Sequence, residues 1–355
     1  MKEISLYTGS ILRNFISSVL ALVVAIAIST VIILIVGKDP FSVYSMFLGE
    51  TLGNPYGIGQ VLFRATPLIF TGLTAGICFK AGLFNIGGEG QLLIGAFSTA
   101  IAGVVFGDLP SFILVPVCLL AGIIGGGIWG VIPGILKAIF GSHEVINTIM
   151  MNFIAAGLVN YLVSNVFFVP ATVHTPTISP HAEIPRLESL IPFFHGSPVN
   201  FSIVIALLMC FLLRFYLMRT TKGYETRATG LNPHASRYAG IRTSQIMIVT
   251  FFLSGAMAGL VGSNYVLGYK HYFELGFSEG IGFIGIAVAL LARNNPVAVI
   301  FTAIFFGILG YGSLTINTIV PKELANILQA VVILSIITLT KVFDRYQLRF
   351  LKVAG

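Results

Sequence analysis

Few residues in this chain can do polar chemistry. Its 355 residues include 13 acids and 20 bases. Glu89, Glu144, Glu279 and Glu323 each stand at the first turn of an apolar run. A carboxylate there meets unsatisfied N–H groups and the positive end of the helix dipole. No Asp or Glu lies in the middle of a run, which argues against a proton-coupled carrier, since such carriers place a carboxylate along the path. Sodium coupling is less constrained, because backbone carbonyls can hold that ion. No G-x-x-x-x-G-K-[ST], H-E-x-x-H or G-x-S-x-G occurs. The chain therefore carries no visible machinery for hydrolysing ATP or for covalent chemistry.

The most distinctive stretch runs from Phe63 to Ala96. Pro67 and several glycines interrupt a pair of apolar runs, with Asn85, Glu89 and Gln91 at the break. Broken backbone at membrane depth is tolerated where it lines a cavity or is buried in protein. The break reads either as a pathway or inner-gate element, or as a tight hairpin with Glu89 capping the second helix. Arg64 is placed to snorkel to the outer interface or to touch solute. Thr148 and Asn152, one turn apart, are positioned for solute contact or for hydrogen bonds between helices. Cys78, Cys118 and Cys210 lie inside apolar runs and read as small buried residues. His174, His181 and His195 lack the spacing of a zinc site and read as surface residues.

These residues must be held by membrane helices. Hydrophobic residues make up 56% of the chain and charged ones 9%, with a mean hydropathy of +0.95. A soluble domain usually carries about 25% charged residues, so a soluble enzyme or binding module is excluded. A helical crossing takes about 20 apolar residues. Ten spans are expected near 14–37, 59–79, 88–107, 111–136, 144–169, 200–218, 243–268, 279–292, 296–314 and 323–341. The eighth is short enough to be tilted, broken or re-entrant. The first exceeds a signal-peptide core and reads as uncleaved. The fold class is all-α: one polytopic membrane domain over 1–355. With the N-terminus inside, fifteen of the twenty Lys and Arg residues fall inside, four outside, and Arg64 within a span. That bias puts both termini in the cytoplasm.

Glycines recur every fourth residue at 122, 126, 130 and 134, and at 255 and 259, as packing faces of two spans. The outer loop, about 170–199, is proline-rich and irregular. The inner loop, about 219–242, is basic. Asn232 and Pro233 form a helix start and Gly240 a stop, predicting a short helix over 233–239. Two turns of helix are unstable alone and need a docking surface; a plain topology-setting loop is the alternative. Aligning Glu89 with Glu279 also pairs Gly90/Gly280, Ile94/Ile284 and Gly95/Gly285. In this topology one acid opens a span at the inner face and the other at the outer face, as an inverted repeat would.

The run Phe84-Asn85-Ile86-Gly87-Gly88-Glu89-Gly90-Gln91 resembles a hallmark of permease subunits of bacterial ABC importers for branched-chain amino acids, simple sugars and nucleosides. Arg64-Ala65-Thr66-Pro67-Leu68 is similar to the same family. So are Arg227-Ala228-x-Gly230-x-Asn232-Pro233-x-Ala235-x-x-Tyr238-Ala239-Gly240-Ile241 and the block from Gly280 to Leu291. His234 and Ser236 depart from the small residues common there. The Asn-Ile-Gly-Gly-Glu-Gly-Gln wording points to the nucleoside branch, with a sugar permease as the alternative and a stand-alone secondary carrier as a third reading. The resemblance implies a ten-span fold like that of the cobalamin importer permease, with an inverted repeat, in a bacterial cytoplasmic membrane. It implies a partner ATPase holding ATP and Mg, a second permease subunit (a paralogue), an external substrate-binding protein, and no nucleic acid. Arg227, Gly230, Asn232, Pro233, Tyr238 and Gly240 would couple to the ATPase. Arg64, Asn85, Glu89, Gln91, Thr148, Asn152 and Glu279 are the gate and pathway candidates.

Overall fold

Apolar runs separated by Pro, Gly and polar breaks become helices separated by those breaks. The computed structural model describes residues 23–321, 324, 327–335 and 338. The start of the first expected span, Glu323 and several other residues of the tenth, and both chain ends lie outside the described residues. Helices α1 (Val23–Ile35), α2 (Pro40–Thr51), α3 (Pro55–Lys80), α4 (Gly88–Val105), α5 (Ser111–Phe140), α6 (Glu144–Tyr161), α7 (Ser202–Arg219), α8 (Thr221–Leu231), α9 (Pro233–Tyr238), α10 (Thr243–Gly259), α11 (Ile281–Leu291) and α12 (Pro296–Thr315) follow in order. Among the described residues seven helices are long and apolar enough to cross a membrane, and α1 and α11 are shorter apolar helices. The chain is an all-α polytopic membrane protein. At about 1.5 Å per residue, α11 rises only about 16 Å, half of a bilayer core.

Two compact units divide the chain: Met1–Asn54 with Leu309–Gly355, and Pro55–Ile308. In the first, Asp39 caps α2, accepting from Ser42 N at 2.9 Å and Ser42 Oγ at 2.6 Å. Those bonds hold its carboxyl below the usual range. Ile33, Val43, Ile316, Val320 and Leu328 form its apolar cluster.

In the second unit, α5 and α10 meet along their glycine faces. A Cβ on Gly126 would run into the Gly255 carbonyl, and one on Gly255 into the Gly126 carbonyl; Gly122 and Gly259 oppose each other likewise. With no hydrophobic drive between helices in lipid, such close backbone approach supplies the attraction. The packing faces expected from the glycine spacing are therefore present. Helix α11 packs on α3, and α4 on α10.

Loop contacts sort into the two groups that the charge count separates. Gly230 lies on the Lys80–Gly82 turn, and Ser244 Oγ donates to the Ala138 carbonyl at 3.4 Å. At the other end, Thr175 N donates to Phe273 O and Ile184 N to Leu267 O, both at 2.9 Å, and Ser179 N donates to Gly103 O at 3.1 Å.

Candidate functional site

Residues 81–87 leave the end of α3 and turn back into the protein before α4 begins. Gly82 supplies the left-handed turn, at φ +70°. The returning backbone has no helix to satisfy it, so side chains do. Asn85 is 2% exposed. Its Nδ2 donates to Gln91 Oε1 at 3.0 Å and to Ser254 Oγ at 2.8 Å, while its Oδ1 accepts from Gly87 N at 2.8 Å. Ser254 Oγ donates onward to the Thr74 carbonyl at 2.7 Å. From α6, Thr148 Oγ1 accepts from Ile86 N at 3.3 Å. Asn152 accepts from Gly90 N at 2.8 Å and donates to the Ile86 carbonyl at 3.0 Å. The structure thus brings Asn85, Glu89, Gln91, Thr148 and Asn152 together. Ser254 completes the network without having been singled out in the sequence: a serine among the glycines and alanines of α10 has no spacing that marks it.

Glu89 departs from its expected place. Asn152 satisfies the Gly90 N–H, so Glu89 is free to reach across to α11 instead of capping its own helix. Its two oxygens accept from Ser278 Oγ at 2.5 Å and from Gly282 N at 2.8 Å. The inner-face position read for Glu89, opposite an outer-face Glu279, is therefore corrected. Residues 81–87 and 271–280 both run inward as non-helical backbone, and the two helix starts meet. Gly282 permits the meeting, since a Cβ there would strike the Glu89 backbone.

Glu89 and Asn152 line a cavity of about 630 Å³, with Asn160 on α6 and Ser278, Phe273 and Phe283 opposite. Asn85, Gln91 and Thr148 stand behind its wall as scaffold. Arg64 is outside its lining, half-buried on α3, with its buried Nε lacking a hydrogen-bond partner among the described residues. Glu279 is exposed beside Ser278, at φ +43°.

The loop after α7 holds two helices. The sequence reading gave only the second, found here as α9. Asn232 Oδ1 accepts from His234 N and Ala235 N, each at 3.0 Å, Pro233 starts the helix, and Gly240 ends it at φ +82°. Ile241 N returns to Ser236 O at 3.0 Å, closing the last turn as a Schellman-type stop does. Tyr238 is 95% exposed, whereas Ser236 is buried. Gly230 faces inward: a Cβ there would meet the Lys80 carbonyl and Ala81. Arg227 is half-buried on α8.

The family profile described as "Branched-chain amino acid transport system / permease component" matches residues 57–337. The guanosine ABC transporter permease protein NupP of Bacillus subtilis is 39% identical over 91% of this chain and 93% of its own length. The nucleoside ABC transporter permease protein NupB of Lactococcus lactis is 34% identical, covering 90% of each chain. The glucose ABC transporter permease protein TsgB13 of Haloferax volcanii is 34% identical over 93% of this chain and 88% of its own.

Proposed function

The chain belongs to the branched-chain amino acid transport system permease family, and we propose that it forms the pathway for nucleosides in an ATP-driven importer. It is a transmembrane permease subunit of an ABC transporter, not an enzyme. The observation that carries the solute reading is the cavity beside Glu89. Its volume falls within the roughly 300–1,000 Å³ of small-molecule sites. Its walls combine aromatic rings with two amides, a hydroxyl and the Glu89 carboxylate, whose oxygens are already taken by α11 and its approach. A nucleoside offers a flat base for the rings and hydroxyls for the amides. Relatives that import guanosine and other nucleosides support this reading. The glucose permease supports a sugar as the second.

The exposed α9 docks a cytoplasmic ATPase, which holds ATP and Mg. A second permease subunit, a paralogue, covers the side where Glu279 stands exposed, since a carboxylate in a membrane segment needs water or a partner. An external binding protein delivers the solute. The membrane is the bacterial cytoplasmic one, with both termini and the 219–242 loop inside, as the charge bias requires. Single cysteines at His234 and Leu190, in a chain lacking the native three, should label from opposite sides of sealed vesicles; labelling from one side overturns the topology. Position 230 is unsuitable for the probe because its Cβ has no room.

Uptake of labelled guanosine by the reconstituted transporter tests the solute. Unlabelled ribosides should compete and glucose should not. Glucose uptake that guanosine leaves untouched would replace the nucleoside reading with the sugar one.

A further inference from the structure

Two asparagines stand on the α6 wall of the cavity, and they differ in what they have left to offer. Both polar atoms of Asn152 are used, one by Gly90 N and one by the Ile86 carbonyl. Glu89 has each oxygen engaged by α11 or its approach. Asn160, farther along the same wall, is exposed, and its amide makes no hydrogen bond to any described residue. An amide without a partner is expensive in hydrocarbon. Ile146, Met150, Ile154 and Leu158 form an apolar stripe, 40–60% exposed, centred on the side of α6 away from Asn152. Asn160 stands off that stripe.

The space in front of Asn160 is kept open. Gly157, on the cavity wall, has nothing within 4 Å of where a Cβ would sit. Phe153 and Phe283 also line the cavity, with 69% and 46% of their surfaces uncovered. Such rings can hold a planar group, and base–aromatic stacking is sequence-tolerant because every base has a π-face. What a ring cannot supply is a paired donor and acceptor, and a free Asn amide supplies both.

We infer that Asn160 is the solute-reading residue of this cavity. Its amide bonds the polar edge of a riboside whose base lies against Phe153 and Phe283, and Gly157 leaves the room. The inference rests on the nucleoside reading above. Asn152 and Glu89 shape the wall, while Asn160 sets which solute is accepted.

Guanosine uptake by the reconstituted, complete transporter provides the test. Asn160→Leu should raise the guanosine KM roughly five- to a hundredfold, the range for leaving one polar group unmatched, with membrane insertion and melting temperature unchanged. Asn160→Gln keeps the amide and should recover most of the affinity. Gly157→Leu fills the space and should reduce uptake of guanosine. Asn152→Leu should instead lower the melting temperature, the mark of a structural role. A wild-type KM in Asn160→Leu overturns the assignment and leaves the nucleoside reading standing. Absence of guanosine uptake by the wild-type transporter removes both.

Discussion

Residues 81–87 and 271–280 each interrupt a long helix and lead a Glu-Gly pair toward the next one, but they are held in different ways. In the first, Asn85, Thr148 and Asn152 satisfy the returning backbone, and residues 87–92 are buried. In the second, Phe273 is anchored through Thr175 and Leu275 through Val173, after which the chain opens. Gly276, Glu279 and Gly280 all have positive φ, and Gly276 and Glu279 are exposed. A non-glycine residue at positive φ is uncommon and persists where its surroundings enforce it. Here the enforcement comes from the first break: Glu89 accepts from Ser278 and Gly282 on either side of Glu279. One break is scaffold; the other is shaped by it.

The largest effect should come from closing the gap between them. Gly282→Val would drive its Cβ into the Glu89 backbone, and most of the protein should fail to reach the membrane folded, an effect above about 4 kcal/mol. Gly276→Ala meets open space at φ +81° and should cost only about 1 kcal/mol of backbone strain. Yields of monodisperse protein after detergent extraction compare the two. Equal losses would mean that the breaks do not differ in rigidity.

A smaller effect separates their polar residues. Asn85→Leu removes three hydrogen bonds, each worth about 1–2 kcal/mol at most in a membrane protein, and should lower the melting temperature by several degrees. Glu279→Gln, at an exposed carboxylate, should stay within about 0.5 kcal/mol of wild type. A destabilised Glu279→Gln would reveal a partner for that residue within this chain.

The smallest effect is expected on the pH dependence of Glu89→Gln, a variant that keeps one acceptor oxygen for Gly282 or Ser278. The pH profile of uptake should match the wild type, because Glu89 serves as a tie between helices. A lost or displaced optimum would bring back proton coupling.

The sequence showed where helices run because apolar length and charge bias are local quantities, so the expected spans among the described residues recur within a few residues. It also showed the α9 start and stop, since Asn232, Pro233 and Gly240 act on their own neighbours. Helix α8 is not legible in the sequence because TKGYETRATGL has neither apolar period nor length, although Thr220 caps it by accepting from Gly223 N at 3.0 Å. Helix α2 is too short to count among apolar spans, so only its Asp39–Pro40 start marks it. The site was less legible. Asn85, Glu89 and Asn152 could be picked out, but whether each serves backbone or solute depends on contacts across more than sixty residues of chain. Ser254 and Asn160 differ only in whether a partner is near, and no spacing encodes that.

Gly230 and Gly82 meet with nothing but peptide groups between them. Side chains yield under load by changing rotamer; two backbones in contact have no such slack. A displacement of the exposed loop would reach the 80–82 turn through α8 with little loss, and Asn85 would pass it to the start of α4. Such a joint would behave as a stiff linkage, and force applied outside the membrane would be felt at the cavity wall as movement rather than as local deformation.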